Sequence, residues 1–285
     1  MEPQNEKVVV IGQGYVGLPV AMQAVSSGFR VVGLDRDRWR VEQLRRGRSY
    51  VDDIPAESVV RALASGRYLV SSQDEACAGF DYAIIAVPTP LREGEPDLRH
   101  IDAAVATLAT HLRPGATIVL ESTTYPGTTD DRVARDVLRL TGLRAGPDYF
   151  LGYSPERIDP GNETWTFAVT PKIVAGVDQA SIDKVDDLYS RLVARTVRVA
   201  GIREAELAKL IENTFRHVNI ALVNELTVFA REMHLDIWAA LDAAATKPFG
   251  YMPFYPGPGV GGHCLPIDPS YLSWQIKRAV GSPFR

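Results

Sequence analysis

Lys7-Val-Val-Val-Ile-Gly12-Gln-Gly14-Tyr-Val-Gly17 decides how the chain folds. The run of valines closed by isoleucine reads as a strand buried on both faces, and the glycines lead into a helical segment reaching about Ser27. In that setting each glycine has a mechanical role. Gly12 permits the tight turn, Gly14 lets a pyrophosphate approach the backbone, and Gly17 lets helix pack on strand, leaving the helix N-terminus aimed at the phosphates. The stretch predicts a dinucleotide site.

The next apolar run, Arg30-Val-Val-Gly-Leu-Asp35, ends in an acid 18 residues beyond Gly17 (35 − 17), near the spacing of a carboxylate that binds the adenosine ribose. Asp35 therefore argues for NAD, while Arg36 and Arg38, placed to accommodate a 2′-phosphate, keep NADP as the alternative. Strands follow at Tyr68–Ser71, 81–87 and 116–121, with a helix over 101–112. Repeated strand-helix units imply a parallel sheet covered on both faces, with ligands at the C-terminal strand ends. Two polar turns fall there: Val87-Pro88-Thr89-Pro90 and Glu121-Ser-Thr123-Thr-Tyr-Pro-Gly127. Thr89 and Thr123 are either turn caps or cofactor contacts, and their place at the sheet edge favours contact. Tyr149-Phe-Leu-Gly-Tyr-Ser-Pro-Glu156-Arg157 then delivers an acid and a base to the same edge, Glu156 reading as an acid-base group or as the partner of Arg157. Lys172–Gly176, a helix over 181–194 and a strand over 196–200 complete this half.

Composition narrows the class. A chain of 285 residues with 46% hydrophobic content holds a sizeable core, in one large domain or two smaller ones. Net charge is -4 with both signs interspersed, so neither nucleic acid nor a membrane surface is an expected partner. The polar N-terminus enters a strand directly and no apolar run has transmembrane length, so no signal peptide or membrane span is expected. Two cysteines make no disulfide framework, and a cytoplasmic location fits.

From 203 to 235 there is neither proline nor glycine, and apolar residues recur at helical spacing, which predicts a helix on the order of 50 Å long that bridges domains or subunits. Lys209, Asn213 and Arg216 fall at i, i+4 and i+7, a stripe that is either a solvated face or the wall of an active site. Asp236 reads as the N-cap of a short helix, and Asp268-Pro269 as the start of another. Between them, Tyr255-Pro-Gly-Pro-Gly-Val-Gly-Gly-His-Cys264-Leu-Pro-Ile-Asp268 has too many glycines and prolines for a regular element, so it is a shaped loop ending in a thiol. Cys264 reads as a nucleophile that captures an aldehyde, or as a small buried hydrophobe. No Cys-x-x-Cys or His-x-x-x-His spacing accompanies it, and no metal is expected.

Taken in order, Gly12-Gln-Gly-Tyr-Val-Gly17, Val87-Pro-Thr-Pro90, Ser154-Pro-Glu-Arg157, Glu206-Leu-Ala-Lys209 with Asn213-Thr214, and Gly259-Val-Gly-Gly-His-Cys264-Leu-Pro-Ile-Asp268 resemble the UDP-glucose/GDP-mannose dehydrogenase family. The stretch from Ala245 to Gly259 looks most like the branch that oxidises UDP-N-acetylhexosamines. The resemblance implies an α/β fold: a Rossmann-type doubly wound parallel sheet over 1–202 that binds NAD, followed by a long-helix, all-α central domain over 203–285 that carries the cysteine loop and forms a homodimer. It implies oxidation of the sugar C6 alcohol of a UDP-sugar to the uronate, with two NAD and one water consumed. Cys264 forms a thiohemiacetal and then a thioester. Lys209 and Asn213 flank C6, Asp268 moves the alcohol proton through a water, and Glu156 and Thr123 position the hydrolytic water. By the same resemblance Gly12, Gly14, Tyr15, Val16, Gly17, Asp35, Arg40, Pro88, Thr89 and Thr123 contact the cofactor, and Glu156, Arg157, Lys209, Asn213, Arg216 and Gly261 the substrate. Family members carry a further C-terminal Rossmann-like domain that grips the uridine diphosphate; by the resemblance that part should begin where this sequence stops, at Arg285, so the sequence is either a fragment or a natural short form. Two other readings stay open: a two-electron hydroxyacid dehydrogenase, and an NAD-binding, dimerising module without turnover.

Overall fold

Each apolar run becomes a strand because a neighbouring helix covers it. In the computed structural model, which describes residues 5–159, 161–261 and 266–282, the chain runs β1 (Lys7–Ile11), α1 (Gly17–Ser26), β2 (Arg30–Leu34), α2 (Arg38–Arg45), α3 (Ala56–Ala64), β3 (Tyr68–Ser71) and β4 (Tyr82–Ile85). A two-stranded hairpin, β5 (Leu91–Arg92) and β6 (Glu95–Pro96), precedes α4 (Arg99–Ala109), β7 (Thr117–Leu120), α5 (Ala134–Thr141) and β8 (Phe150–Tyr153). Then come β9 (Lys172–Gly176), α6 (Gln179–Ser190), β10 (Thr196–Arg198), α7 (Ile202–Glu232), α8 (Ile237–Ala245) and α9 (Asp268–Val280).

The sheet order is β10-β9-β8-β7-β4-β1-β2-β3. From β3 to β8 neighbouring strands pair in parallel, and the order reverses between β1 and β4, which makes their C-terminal ends the ligand-binding crevice. The sheet is not parallel throughout. β9 lies antiparallel to β8, and β10 parallel to β9. A parallel return needs a crossover, usually a helix, but the connection from β8 to β9 contains none among its described residues, so the chain doubles back along the edge. Val8, Val10, Val31, Ile84 and Val119 of the strands pack with Leu18, Phe29, Val185 and Leu188 in a core from which water is excluded.

The chain divides into two compact units, one formed by 1–92 and 96–209, the other by Glu93–Glu95 and 210–285. The division falls inside α7, whose uninterrupted helical run reflects the absence of proline and glycine. In the second unit Asp236 caps α8 by accepting from the Trp238 and Ala239 amides at 3.0 and 3.2 Å, and Pro269 occupies the first turn of α9, where its missing N–H costs nothing. No described helix is long and apolar enough to cross a membrane.

Candidate active site

The crevice between β1 and β4 is shaped by glycines that nothing larger can replace. A Cβ on Gly12, whose φ is +91°, would stand 2.3 Å from the Ala86 carbonyl oxygen, and one on Gly17 would stand 1.8 Å from the Gly12 carbonyl oxygen. Gly14 differs: its missing Cβ leaves space whose nearest occupant is the Arg40 guanidinium, 3.6 Å away. No side chain caps the N-terminus of α1 at Val16. In its first turn the Leu18 amide donates to the Gly14 carbonyl at 3.1 Å and Pro19 has no N–H, so the attraction of this end for an anionic ligand comes from the helix dipole and the glycine turn before it. Tyr15 is exposed and Val16 half-buried. At the end of β2, buried Asp35 accepts from the Gln13 amide at 2.8 Å and the Asp37 amide at 2.9 Å, and Arg40 stands 3.5 Å from it. One hydrogen bond on each carboxylate oxygen leaves further lone pairs for ribose hydroxyls. Arg36 and Arg38 are exposed. An open glycine, an uncapped helix N-terminus and an acid with spare acceptors fit a dinucleotide.

Pro88 is exposed and Thr89 half-buried on the turn after β4. Ser122 ties that turn to the one after β7, accepting from the Val87 amide at 2.9 Å and donating to the Val87 carbonyl at 2.8 Å. Thr123 beside it is half-buried, whereas Thr124 is buried and donates to Thr128.

Four charges lie buried at the end of the sheet. Glu156, just past β8, is 7% exposed and Lys209, on the second turn of α7, 5%; their charged atoms are 3.4 Å apart. The Glu156 carboxylate also accepts from the Ile158 amide. Lys172 at the start of β9 donates to Glu121 at the end of β7 and to the Pro155 carbonyl at 3.0 Å. Burial pushes the Glu156 carboxyl above the usual carboxylate range; Lys209 and Lys172 oppose that rise and Glu121 adds to it. Arg157 is half-buried and donates to the Pro171 carbonyl at 2.7 Å, while Glu156 pairs with Lys209.

The first turns of α7 grip the segment after Thr123. Buried Glu206 accepts from the Gly127 amide at 2.7 Å, the Thr129 amide at 2.9 Å and the Thr129 hydroxyl at 2.7 Å. Burial raises its carboxyl to about 7 against the pull of those donors. Arg203 reaches Asp130 and Asp131 at 2.8 and 2.9 Å.

In the second unit Asn213, one turn after Lys209 on α7, donates to Asp268, which is 1% exposed at the start of α9. Arg216 is exposed, and Gly261 is exposed with φ +63°. Lys209, Asn213 and Arg216 thus pass from buried through half-buried to exposed along one stripe. Cys264 lies outside the described residues. Cys77 is buried, and burial pushes its thiol up to about 11, far from a reactive state.

Sequence reading assigned no role to Glu121, Ser122 or Lys172, and quoted Glu206 only as part of a motif. The available signal was a charged residue at each end of an otherwise apolar strand: Glu121 after Thr-Ile-Val-Leu, and Lys172 before Ile-Val-Ala-Gly.

A doubly wound sheet with this crevice, followed by a long helix that plants a lysine against a buried glutamate, defines a Rossmann-type nucleotide-binding unit joined to a helical one. The chain belongs to the UDP-glucose/GDP-mannose dehydrogenase family: residues 6–193 match its NAD binding domain and 203–283 its central domain. It is 38% identical over 270 residues to a UDP-N-acetyl-D-glucosamine 6-dehydrogenase of Salmonella typhi, covering 94% of this chain and 62% of that protein. Against a UDP-N-acetyl-D-mannosamine dehydrogenase of Pyrococcus horikoshii it is 36% identical over 276 residues, covering 96% and 66%. A solved UDP-D-ManNAc dehydrogenase structure from Pyrococcus horikoshii superposes with a TM-score of 0.90 at 35% identity, covering 98% of this chain and 65% of that one. The chain spans under two thirds of the length of these relatives.

Proposed function

We propose that the chain provides the NAD-binding and central parts of a UDP-sugar 6-dehydrogenase, oxidising the C6 alcohol of a UDP-N-acetylhexosamine to the uronate. The observation that carries this reading is the Lys209–Glu156 pair, an ammonium and a carboxylate 3.4 Å apart and shielded from water in the unit that holds the dinucleotide crevice. The reaction balances as alcohol plus two NAD⁺ plus water giving carboxylate, two NADH and three protons. NAD supplies the hydride acceptor for both oxidations.

The chain's own groups do the rest. Asp268, held by Asn213, takes the alcohol proton through a water as the aldehyde forms. The Cys264 thiolate adds to the aldehyde carbon, and loss of the second hydride leaves a thioester. A cysteine of ordinary pKa, about 8.5, is only a few per cent thiolate at neutral pH, so a neighbouring cation raises the reactive fraction. Lys209 and Asn213 stabilise the oxyanion that develops at C6, donors of a kind worth roughly 3 kcal/mol each. Glu156, whose carboxyl burial has raised, removes a proton from the water that releases the acid, with Thr123 orienting that water. Arg157, Arg216 and Gly261 serve the substrate. The exposed stripe Ile211, Phe215, Val218, Leu222, Leu226 and Phe229 on α7 forms the face of a homodimer.

The test measures NADH and product mass with UDP-N-acetylglucosamine, UDP-N-acetylmannosamine and UDP-glucose, for the full-length protein and for its Cys264→Ser variant. Two NADH per uronate in the wild type, with acid formation lost in the variant, is expected. Equal acid formation by both proteins excludes the covalent route.

A further inference from the structure

Glu121 and Lys172 take no part in the steps above, yet they are 0% and 3% exposed. Isolated buried charges of this kind cost several kcal/mol apiece unless each has a partner. Lys172 has several. Its ammonium donates to Glu121 and to the Pro155 carbonyl at 3.0 Å, and sits over the rings of Tyr189 and Phe167 at 5.2 and 5.4 Å. Pro155 is the residue that delivers Glu156, so the ammonium fixes the peptide on which that carboxylate is mounted. Among the described residues, the charged groups facing Glu156 come from three elements: Lys209 of α7, Lys172 of β9 and Glu121 at the end of β7. Signs therefore alternate across the four residues.

We propose that Lys172 is a positioning residue for Glu156: seated on Glu121 and the Pro155 carbonyl, it fixes the backbone that carries Glu156 and supplies the second positive charge facing that buried carboxylate. This rests on the reading of Glu156 as the base that activates the hydrolytic water. With Lys172 neutralised, Lys209 is left as the one cation opposing burial among the described groups that face Glu156, and the carboxyl holds its proton to higher pH.

The experiment uses the full 285-residue chain labelled with carboxyl-¹³C glutamate, following the resonance that is missing from the Glu156→Gln spectrum across pH. Lys172→Met is expected to raise the Glu156 titration midpoint by on the order of one pH unit, and Lys172→Arg to leave it within a few tenths. Because Lys172→Met strands Glu121, the double variant Glu121→Gln/Lys172→Met provides a second arm that leaves no charge unpaired, with a smaller rise in the same direction. An unmoved midpoint in a folded Lys172→Met or double variant overturns the proposal. This readout needs no turnover. A moved midpoint together with a full-length protein that forms no uronate sinks the proposed function alone, and uronate formation by the full-length protein with an unmoved midpoint sinks the Lys172 proposal alone.

Discussion

Glu206 makes stability depend on pH in a direction opposite to that of most carboxylates. Its ordinary pKa is 4.5 and burial raises it to about 7 in the folded chain. Between those values the folded state keeps a proton that the unfolded state has lost. The stabilisation is thus fully present below about pH 4.5 and is lost as pH rises through about 7. At 1.36 kcal/mol per unit, a displacement of roughly 2.5 units corresponds to about 3 kcal/mol. Glu206→Gln removes this titration. The amide oxygen still accepts from Thr129, but its NH₂ group then faces the Gly127 amide, a donor against a donor, at a cost of about 1–3 kcal/mol. The variant is therefore the weaker protein at pH 5 and closes the gap by about 3 kcal/mol at pH 8. Urea unfolding followed by tryptophan fluorescence at pH 5, 6, 7 and 8 measures that gap, and Glu156, present in both proteins, cancels. If the two stability curves run parallel over this range, Glu206 does not titrate there and the account of its burial fails.

Three further outcomes follow from the geometry. Gly12→Ala places a Cβ 2.3 Å from the Ala86 carbonyl at a positive φ, so it is expected to abolish NAD binding in calorimetry and to lower stability by about 1–3 kcal/mol; retained NAD affinity would show that the turn can shift. Asp35→Asn removes the charge that the Gln13 amide and Arg40 address, and a loss of roughly tenfold or more in NAD affinity, with NADP affinity less affected, is expected by titration calorimetry. Ile211→Glu with Leu222→Glu places charges on the exposed apolar stripe of α7, and light scattering is expected to register a change from dimer to monomer.

The parts of the fold that sterics dictate were legible in the sequence. Gly12 and Gly17 are readable because any Cβ there meets backbone, and Asp236 because a short acid before an apolar helix has two amides to accept from. What depends on distant partners was not. A stripe of Lys209, Asn213 and Arg216 has the same spacing whether it faces water or protein, and its inner end is buried through Glu156, 53 positions away in sequence. Likewise nothing local marks β9 as running against β8, since side-chain alternation is the same in either direction. Ser122 and Glu206 act on the Val87 turn and on Gly127 and Thr129, contacts that exist only after the sheet has assembled.

The start of α7 shows which of these distant contacts sets the position of Lys209. Arg203, Glu206 and Lys209 are spaced by three, so they lie within roughly one third of the helix circumference and about 9 Å of its length, and each is spent on a different partner in the first unit. A helix of this kind is stiff, so the register of Lys209 follows from whichever upstream contact is hardest to displace. Arg203 is half-exposed, and its pairs with Asp130 and Asp131 are screened by water and worth about 0–1 kcal/mol. Glu206 is fully buried and saturated by three donors, and moving it leaves the Gly127 and Thr129 amides without an acceptor. Loss of Glu206 is therefore the change that lets Lys209 drift from Glu156, whereas Arg203→Ala leaves that pair in place.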